Sequence, residues 1–285
     1  MNKIIDGKHI ASLIREEIKQ ETAEFFLATK KRPNLTVIIV GENPASQTYI
    51  RNKRKVATEV GFDSHTVHLS ADTNEQELLT TIEQLNNDDE VNGILVQLPL
   101  PDHIDKQKII KAIAVEKDVD GFHPEQVGEL SIGLDTLEPC TPAGIIELLK
   151  YYNIDVSGKN AVVIGRSNIV GKPIANMLLR LDATVTITHS RTANLADITR
   201  LADILVVAIG KPHFLTADMV KEGAVVIDVG INRTEDRKLV GDVDFEGVKE
   251  KASYITPVPG GVGPMTIVML LANTLKAFKR QLPKN

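Results

Sequence analysis

The sequence predicts an α/β protein built on parallel β-sheets. Short β-branched runs are almost continuously apolar, as in strands covered on both faces, and amphipathic helix-length segments lie between them. The longest such segments, His9–Thr29 and Ala143–Tyr152, are predicted helices. Six runs are predicted strands: Leu35–Val40, Gly93–Gln97, Ala161–Ile164, Thr184–Thr188, Ile204–Ala208 and Val225–Val229.

The chain length and one turn-rich stretch predict two domains. At about 150 residues per domain, 285 residues suggest two domains or one large one. The stretch Glu138–Gly144 is rich in turn residues, and a βαβ unit begins after it. We therefore assign residues 1–140 to a first domain and 141–263 to a second. The last helix, 264–285, could pack on either of them.

Composition excludes several classes of protein. Hydrophobic residues are 42% and charged residues 25% of the chain, so it can bury a sizeable core and is not mainly disordered. The net charge of -5 argues against nonspecific nucleic-acid binding as the main task. Cys140 is the single cysteine, which excludes an internal disulfide and a cysteine-based zinc site.

Membrane, export and metal signals are not visible in the sequence. Asp6 interrupts the apolar stretch that an N-terminal export signal would need. The most apolar helix candidate, Met265–Leu275, is too short and too polar to span a bilayer. The seven histidines are scattered without a second ligand type at metal-binding spacing, so we expect no metal. We expect a cytoplasmic protein without a membrane partner.

A glycine-containing loop joins the strand at Ala161–Ile164 to a helix. Gly165 can supply the tight turn of a dinucleotide fingerprint, and Gly171 can supply its close helix packing. Ser167 stands where the usual pattern has its second glycine, so the match is imperfect. The apolar strand before the loop and the helix after it favour a nucleotide site over a simple strand–helix turn.

The end of the next strand indicates which dinucleotide the loop would bind. NAD sites usually carry an acidic residue there, about 20 residues beyond the glycines, to hold the ribose hydroxyls. This chain has none at that strand end. Arg166, Ser190 and Arg191 instead offer cations and a hydroxyl suited to a 2′-phosphate, which favours NADP. The alternative is that the two arginines form a solvated surface pair.

A lysine shares the apolar face of the helix predicted over residues 43–61. The stripe consists of Tyr49, Lys53, Val56 and Val60. Burial near other cations would lower the pKa of Lys53, and Tyr49 could hydrogen-bond its amine, which would make a general-base pair. Alternatively, Lys53 extends its amine to water past an apolar stem. The spacing leaves both interpretations open.

Three further segments carry groups suited to ligand binding. Gln97 ends a strand that prolines stop, at the edge where parallel sheets bind ligands. Asp120 could accept hydrogen bonds from the ring N–H and amine of a heterocycle, or it could cap an Asx turn. The loop Pro257–Pro264 could bring backbone close to a ligand at a helix N-terminus, or it could be a rigid connector.

Six motifs in this order resemble the bifunctional methylenetetrahydrofolate dehydrogenase/methenyltetrahydrofolate cyclohydrolase family, over nearly the whole chain. They are GENPASQTYIRNK at 41–53, VQLPLP at 96–101, KDVDGF at 117–122, PCTP at 139–142, GRSNIVG at 165–171 and PGGVGPMT at 259–266. The serine in the glycine loop is normal for that family. Six ordered motifs are far more specific than any one of them.

The resemblance implies two α/β domains, the second Rossmann-like and doubly wound, with a substrate cleft between them. It also implies NADP as cofactor, tetrahydrofolate substrates and a homodimer. The catalytic residues that it implies are Lys53, Tyr49, Gln97 and Asp120, with Asp120 holding the pterin ring. The implied cofactor contacts are Gly165, Arg166, Ser167, Ser190 and Ile231. The implied substrate contacts are Tyr49, Lys53, Val96, Gln97, Leu98, Asp120, Pro259, Gly260, Gly261, Val262 and Gly263.

The chemistry that the resemblance implies has two steps. A hydride passes from the bridging methylene of 5,10-methylenetetrahydrofolate to NADP+, which is mainly a positioning task. Water then adds to the methenyl cation, and ring opening gives 10-formyltetrahydrofolate. This second step needs proton transfer, for which Lys53 and Tyr49 are suited.

Two other functions compete with this one. The first is a different NADP-dependent dehydrogenase on the same architecture, and the Tyr49–Lys53 stripe and Asp120 argue against it. The second is a non-catalytic module that senses nucleotides. Groups resembling a binding site occur in both halves of the chain, which argues against a sensor.

Overall fold

The chain divides into two compact units. The structure is a computed structural model that describes residues 3–41 and 53–282. The six-stranded unit consists of Met1–Ser12, Leu130–Gly133 and Pro139–Met269. The three-stranded unit consists of Leu13–Glu129, Leu134–Glu138 and Leu270–Asn285.

Helices and strands alternate along most of the described chain. In chain order the elements are β1 (Lys3–Ile4), α1 (Gly7–Thr29), β2 (Asn34–Val40), α2 (described over 53–59), β3 (Asp63–Leu69), α3 (Glu75–Asn86), β4 (Gly93–Val96), α4 (Lys106–Ala112), α5 (Pro124–Ser131), α6 (Cys140–Tyr151), β5 (Asn160–Ile164), α7 (Gly171–Arg180), β6 (Thr184–Thr188), α8 (Leu195–Thr199), β7 (Ile204–Val207), β8 (Val225–Asp228), β9 (Asn232–Arg233), β10 (Leu239–Val240), α9 (Phe245–Lys249), β11 (Tyr254–Ile255) and α10 (Val262–Gln281).

The six-stranded unit contains a parallel sheet with the strand order β1-β11-β8-β7-β5-β6. The chain leaves β5 toward β6 on one side and returns to β7 on the other side, so the direction of winding reverses between β5 and β7. Apart from Asn160 at the start of β5, the side chains of β5, β7 and β8 are buried, which explains their apolar runs. This is the doubly wound arrangement that the family resemblance implies, built on the parallel sheet that the sequence pattern predicts.

The three-stranded unit has the parallel strand order β3-β2-β4. Its core joins Ile38 and Ile94 of the sheet to Leu78 and Ile82 of helix α3. The sequence begins α3 with a capping box, in which Asn74 and Glu77 each accept a hydrogen bond from the backbone N–H of the other.

The six predicted strands all occur, and each of their ends lies within one residue of its predicted position. Helix α6 begins at Cys140, three residues before the predicted start at Ala143. Pro142 does not prevent this, because a proline is tolerated in the first turn, where N–H groups have no partner within the helix. In the part of the chain that the structure describes, no helix is both long and apolar enough to cross a membrane.

Candidate active site

A cavity of about 470 Å³ opens at the carboxyl ends of β5, β6 and β7. It lies where the winding of the sheet reverses, which is the usual ligand site of an open α/β sheet. The residues that line it are Ile164, Gly165, Arg166, His189, Ser190, Thr192, Leu195, Ala208, Ile209, Lys211 and Phe214.

Two glycines allow the backbone to pack tightly beside this cavity. Gly165 has a φ of +124°, and a Cβ there would overlap the carbonyl oxygen of Ala208. A Cβ on Gly171 would overlap the carbonyl oxygen of Gly165. These are the turn and packing roles that the sequence predicts for the two glycines.

Ser167 has a definite task in the loop. Its Oγ accepts hydrogen bonds from the backbone N–H groups of Val170 and Gly171, each at 3.2 Å. The hydroxyl therefore satisfies donors at the start of helix α7, as a capping residue does. Its own proton can still be donated to a ligand.

The residues of the cavity fit a phosphorylated dinucleotide. Arg166 and Ser190 are exposed and supply a cation and a hydroxyl, while Gly165 lets a ligand approach the backbone. Of the two arginines that the sequence nominates, Arg166 lines the cavity and Arg191 is not in its described lining. Ile231, after β8, is also outside that lining and is 62% exposed.

In the three-stranded unit, Lys53 contacts Gln97. Lys53 is only 5% exposed, and its Nζ donates a hydrogen bond to Oε1 of Gln97 at 3.1 Å. Lys53 therefore lies on the buried face of α2 and does not extend its amine into water. Arg54 and Lys55, the next residues of the helix, are exposed. Tyr49, the predicted partner of Lys53, lies outside the described residues.

Three other predicted substrate contacts of this unit share one small pocket. Val96, Leu98 and Asp120 line it together with Asp118. Asp118 is buried, and its Oδ2 accepts a hydrogen bond from the backbone N–H of His123 at 2.7 Å. Burial, followed by the charge of Asp120, raises the pKa of the Asp118 carboxyl to about 7.

Lys117, the first residue of the KDVDGF motif, is tied to the protein backbone. Its buried Nζ donates hydrogen bonds to the carbonyl oxygens of Leu85, Asn86 and Asp88, at 3.1, 2.8 and 2.7 Å. These carbonyls lie at and just beyond the end of α3, where helices leave acceptors without partners. Lys117 is therefore a helix-capping residue, a role that sequence reasoning did not identify.

The glycine loop before α10 packs against the start of α1. A Cβ on Gly7 would overlap the carbonyl oxygen of Gly261, and the N–H of Lys8 donates to the carbonyl oxygen of Gly260 at 3.1 Å. Gly260 has a φ of +110°, which favours glycine. Pro259 is exposed, Gly263 is half-buried and Val262 is buried. These contacts give the loop a packing role.

Sequence reasoning missed two buried aspartates near the dinucleotide cavity, Asp228 and Asp242. Asp242 accepts hydrogen bonds from the backbone N–H groups of Ile209 and Lys211, both of which line the cavity. A signal was present, since Asp228 ends an apolar strand and a glycine follows two residues later.

The doubly wound sheet with a glycine turn and a cavity at its reversal point defines a Rossmann-like dinucleotide-binding protein. Residues 139–282 match the NAD(P)-binding domain of tetrahydrofolate dehydrogenase/cyclohydrolase, and residues 5–120 match its catalytic domain. The chain therefore belongs to the tetrahydrofolate dehydrogenase/cyclohydrolase family, which confirms the resemblance of the six motifs.

Individual relatives match over their full length. The Bifunctional protein FolD of Campylobacter hominis is 61% identical, over 99% of both chains. The crystal structure of the bifunctional methylenetetrahydrofolate dehydrogenase/cyclohydrolase FolD from Campylobacter jejuni superposes with a TM-score of 0.97 at 54% identity, over 99% of this chain and 100% of that one. The Trypanosoma brucei enzyme, solved with NADP and an inhibitor, has a TM-score of 0.94 at 43% identity, over 98% of both chains.

Proposed function

We propose that this chain oxidises 5,10-methylenetetrahydrofolate to 5,10-methenyltetrahydrofolate with NADP+ and hydrolyses the product to 10-formyltetrahydrofolate. The observation that carries the proposal is the buried Lys53–Gln97 hydrogen bond at the end of β4. A buried amine held in a fixed position can serve as a proton-transfer group, and the chain also has a dinucleotide cavity. Both activities belong to one-carbon metabolism.

The two ligands are assigned to different residues. NADP+ binds in the cavity of the six-stranded unit, where Arg166 and Ser190 contact the 2′-phosphate and Gly165 and Ser167 contact the pyrophosphate region. Ile231 is a further contact with the cofactor. The first domain, residues 1–140, binds the folate, and the second, residues 141–263, binds NADP+.

Lys53, Gln97 and Asp120 act on the folate. Asp120 accepts hydrogen bonds from the pterin and fixes its orientation, and the apolar side chains of Val96 and Leu98 border the ring. Tyr49 and the loop 259–263 complete the contacts with the substrate.

The first step depends on placement. When bound, NADP+ accepts the hydride that leaves the bridging methylene of the folate. The protein holds the donor carbon in place and needs no proton from its side chains. The groups that orient the pterin therefore contribute to this step, whereas a proton-transfer group does not have to.

The second step depends on a base. Water that adds to the methenyl carbon must lose a proton, and ring opening must return one to the leaving nitrogen. Lys53 in its neutral form can take the proton from the water and pass it on, while Gln97 holds the amine in position. Tyr49, four residues before Lys53 in the sequence, assists the transfer.

The enzyme is a homodimer in this proposal. Strand β6 is the last strand of its sheet, and its Ile187 is 40% exposed. Leu179 on helix α7 is 61% exposed. An edge strand that presents apolar side chains is suited to pairing with a second copy. Light scattering on the purified protein tests this, and a monomeric mass at working concentration would contradict it.

The cytoplasm is the proposed compartment. Cys140, the single cysteine, is buried and has no second cysteine in the chain to form a disulfide with, so the fold needs no oxidising environment. Fractionation of the source cells, with the protein detected by an antibody, tests the assignment. Recovery in a membrane or secreted fraction would contradict it.

One assay tests the central proposal and separates it from its two rivals. The purified protein is incubated with 5,10-methylenetetrahydrofolate and NADP+, and the methenyl and formyl products are both followed. We expect both products. Binding of NADP+ without either product would indicate a nucleotide sensor, and oxidation of a different substrate alone would indicate another dehydrogenase.

A further inference from the structure

Two buried carboxylates connect three chain segments at the carboxyl edge of the six-stranded sheet. Asp228 ends β8 and is 3% exposed, and Asp242, after β10, is fully buried. A buried carboxylate is costly unless donors satisfy its oxygens. Both of these carboxylates have several donors, and almost all of those donors are backbone N–H groups.

Asp242 holds the loop that follows β7. Its Oδ2 accepts from the N–H groups of Ile209 at 2.7 Å and Gly210 at 2.9 Å. Its Oδ1 accepts from the N–H of Lys211 at 2.8 Å and from Nδ2 of Asn232 at 2.9 Å. One side chain thus fixes three consecutive backbone amides. It also fixes the side chain of Asn232, the residue after Ile231.

Asp228 in turn holds the segment that carries Asp242. Its Oδ1 accepts from the N–H groups of Gly230 and Asp242, each at 2.9 Å. Its Oδ2 accepts from the N–H of Val243 at 3.0 Å. The position of the Asp242 carboxylate is therefore set by the end of strand β8.

Two glycines leave space for this arrangement. A Cβ on Gly230 would overlap Oδ1 of Asp242, and a Cβ on Gly241 would overlap Oδ2 of Asp228. The Asp242 carboxylate thus occupies the space of a side chain at position 230. The Asp228 carboxylate occupies the space of a side chain at position 241. A side chain at either glycine would therefore displace the carboxylate that it faces.

The fixed loop forms part of the cavity wall. Ile209 and Lys211 line the dinucleotide cavity, and their backbone amides are the ones that Asp242 accepts from. We propose that Asp242 is a positioning residue for NADP+, which holds the wall formed by residues 209–211 in its binding conformation before the cofactor arrives. This inference rests on the proposed function, because it names NADP+ as the ligand of the cavity.

The isosteric amide should not replace this carboxylate. An asparagine at position 242 would turn an NH2 group toward backbone N–H donors and leave at least one of them without an acceptor. A loop freed in this way must be ordered again when the cofactor binds, and that cost lowers affinity. The cyclohydrolase step needs no NADP+, so we expect it not to depend on this loop.

The experiment compares Asp242→Asn with the parent and with a matched control, Asp244→Ala. Asp244 lies two residues away, and its side chain caps helix α9 by accepting a hydrogen bond from the N–H of Gly247. Titration calorimetry measures the Kd of NADP+. Hydrogen exchange of the amides at 209–211 is measured without cofactor, and the cyclohydrolase rate is measured on the methenyl compound, a step that needs no NADP+.

We expect Asp242→Asn to weaken NADP+ binding about tenfold or more, the effect of roughly one lost charge-assisted hydrogen bond. Its amides at 209–211 should exchange faster, and its cyclohydrolase kcat/KM should stay within about twofold of the parent. Asp244→Ala should melt at a lower temperature with an unchanged Kd. An unchanged Kd in folded Asp242→Asn, or a parallel loss of cyclohydrolase, would overturn the inference.

A milder change decides the question if Asp242→Asn does not fold. Asn232→Ala removes one of the four hydrogen bonds to Asp242 and leaves the carboxylate in place. A several-fold higher Kd with normal cyclohydrolase activity supports the positioning role, and an unchanged Kd overturns it. Failure of the proposed function is distinguishable, because the parent would then lack the two activities itself.

Discussion

Lys53 and Gln97 orient one another. Nζ of Lys53 donates to Oε1 of Gln97 at 3.1 Å, and Nε2 of Gln97 donates to the carbonyl oxygen of Leu98 at 2.7 Å. The two bonds require the same orientation of the amide, because a flipped amide would face its NH2 toward the lysine and its oxygen toward a carbonyl. Gln97 thus presents an acceptor to a lysine amine that is almost fully buried.

Lys53→Met should separate the two proposed activities. The methionine keeps the stem and removes the amine, so the base for the attacking water is lost. We expect the cyclohydrolase rate to fall by ~100- to 10,000-fold, the usual contribution of general acid–base catalysis. Hydride transfer needs no proton, so measurable dehydrogenase activity should remain and the methenyl product should accumulate. Both products are followed in a single time course.

The matched control for this variant is Lys55→Met. Lys55 is two residues further along the same helix, and its side chain is 75% exposed beside Glu59. We expect both activities to remain at parent levels in this variant. Methenyl hydrolysis at the parent rate in Lys53→Met would show that the buried amine is not the base.

Arg166→Ala tests whether Arg166 recognises the 2′-phosphate of NADP+. The guanidinium lines the dinucleotide cavity, so its loss should cost ~1.5–3 kcal/mol of NADP+ binding. NAD+ lacks the phosphate, and its affinity should change much less. Arg191→Ala is the control, since Arg191 is exposed and not in the described lining. Equal losses for NADP+ and NAD+ in Arg166→Ala would show that this arginine does not recognise the phosphate.

The regularity of the long elements made most of the fold predictable. Strands β5 and β7 are apolar on both faces and four or more residues long, a pattern that sequence alone reveals. Strands β1 and β11 have two residues each, so no periodicity can indicate them. Periodicity also overstates burial. Leu13 stands at helical spacing from the buried Ile10 in α1 but is 38% exposed.

Site residues were predictable where the local sequence pattern alone indicates their position. Helical periodicity placed Lys53 on an apolar stripe but left open whether its amine is buried or reaches water, and the structure shows the residue to be 5% exposed. The role of Asp242 was not predictable, since its four donors come from two segments that only the fold brings together. Lys117 was missed for the same reason. Its acceptors are backbone carbonyls around the end of α3, which only the fold brings close to it.

Lys117→Met should affect stability and leave the chemistry intact. The change removes three hydrogen bonds from a buried ammonium and leaves their carbonyls without that donor, so we expect a loss of ~2–4 kcal/mol in the free energy of unfolding. Lys111→Met, the same change at an exposed lysine of α4, should cost far less. Urea unfolding measures both variants. A loss of cyclohydrolase activity in folded Lys117→Met would instead assign this lysine to the substrate.

Asp120→Ala should impair both activities together. The pterin takes part in hydride transfer and in hydration, so a carboxylate that orients it contributes to each step. NADP+ affinity should be unchanged, because that site lies on other residues. Steady-state kinetics for the two reactions and calorimetry with NADP+ measure these quantities. Reduced thermal stability with normal kinetics would favour the Asx-turn interpretation of Asp120.

Asp118→Asn should change how stability depends on pH. The folded-state pKa of Asp118, about 7, lies above its ordinary value of 3.8, so between these limits the folded protein binds a proton that the unfolded chain releases. The stabilisation from Asp118 is complete below pH 4 and is lost as the pH rises to about 7. The amide does not titrate, so the stability of the variant relative to the parent should rise across that window, by up to ~1.4 kcal/mol per pH unit.

Urea unfolding at several pH values measures the difference. In an Asp120→Ala background the upper limit of the window should fall, because burial still raises the pKa of Asp118 but the smaller contribution from the neighbouring charge is gone. A difference that stays constant from pH 4 to 7 would show that Asp118 is ionised throughout.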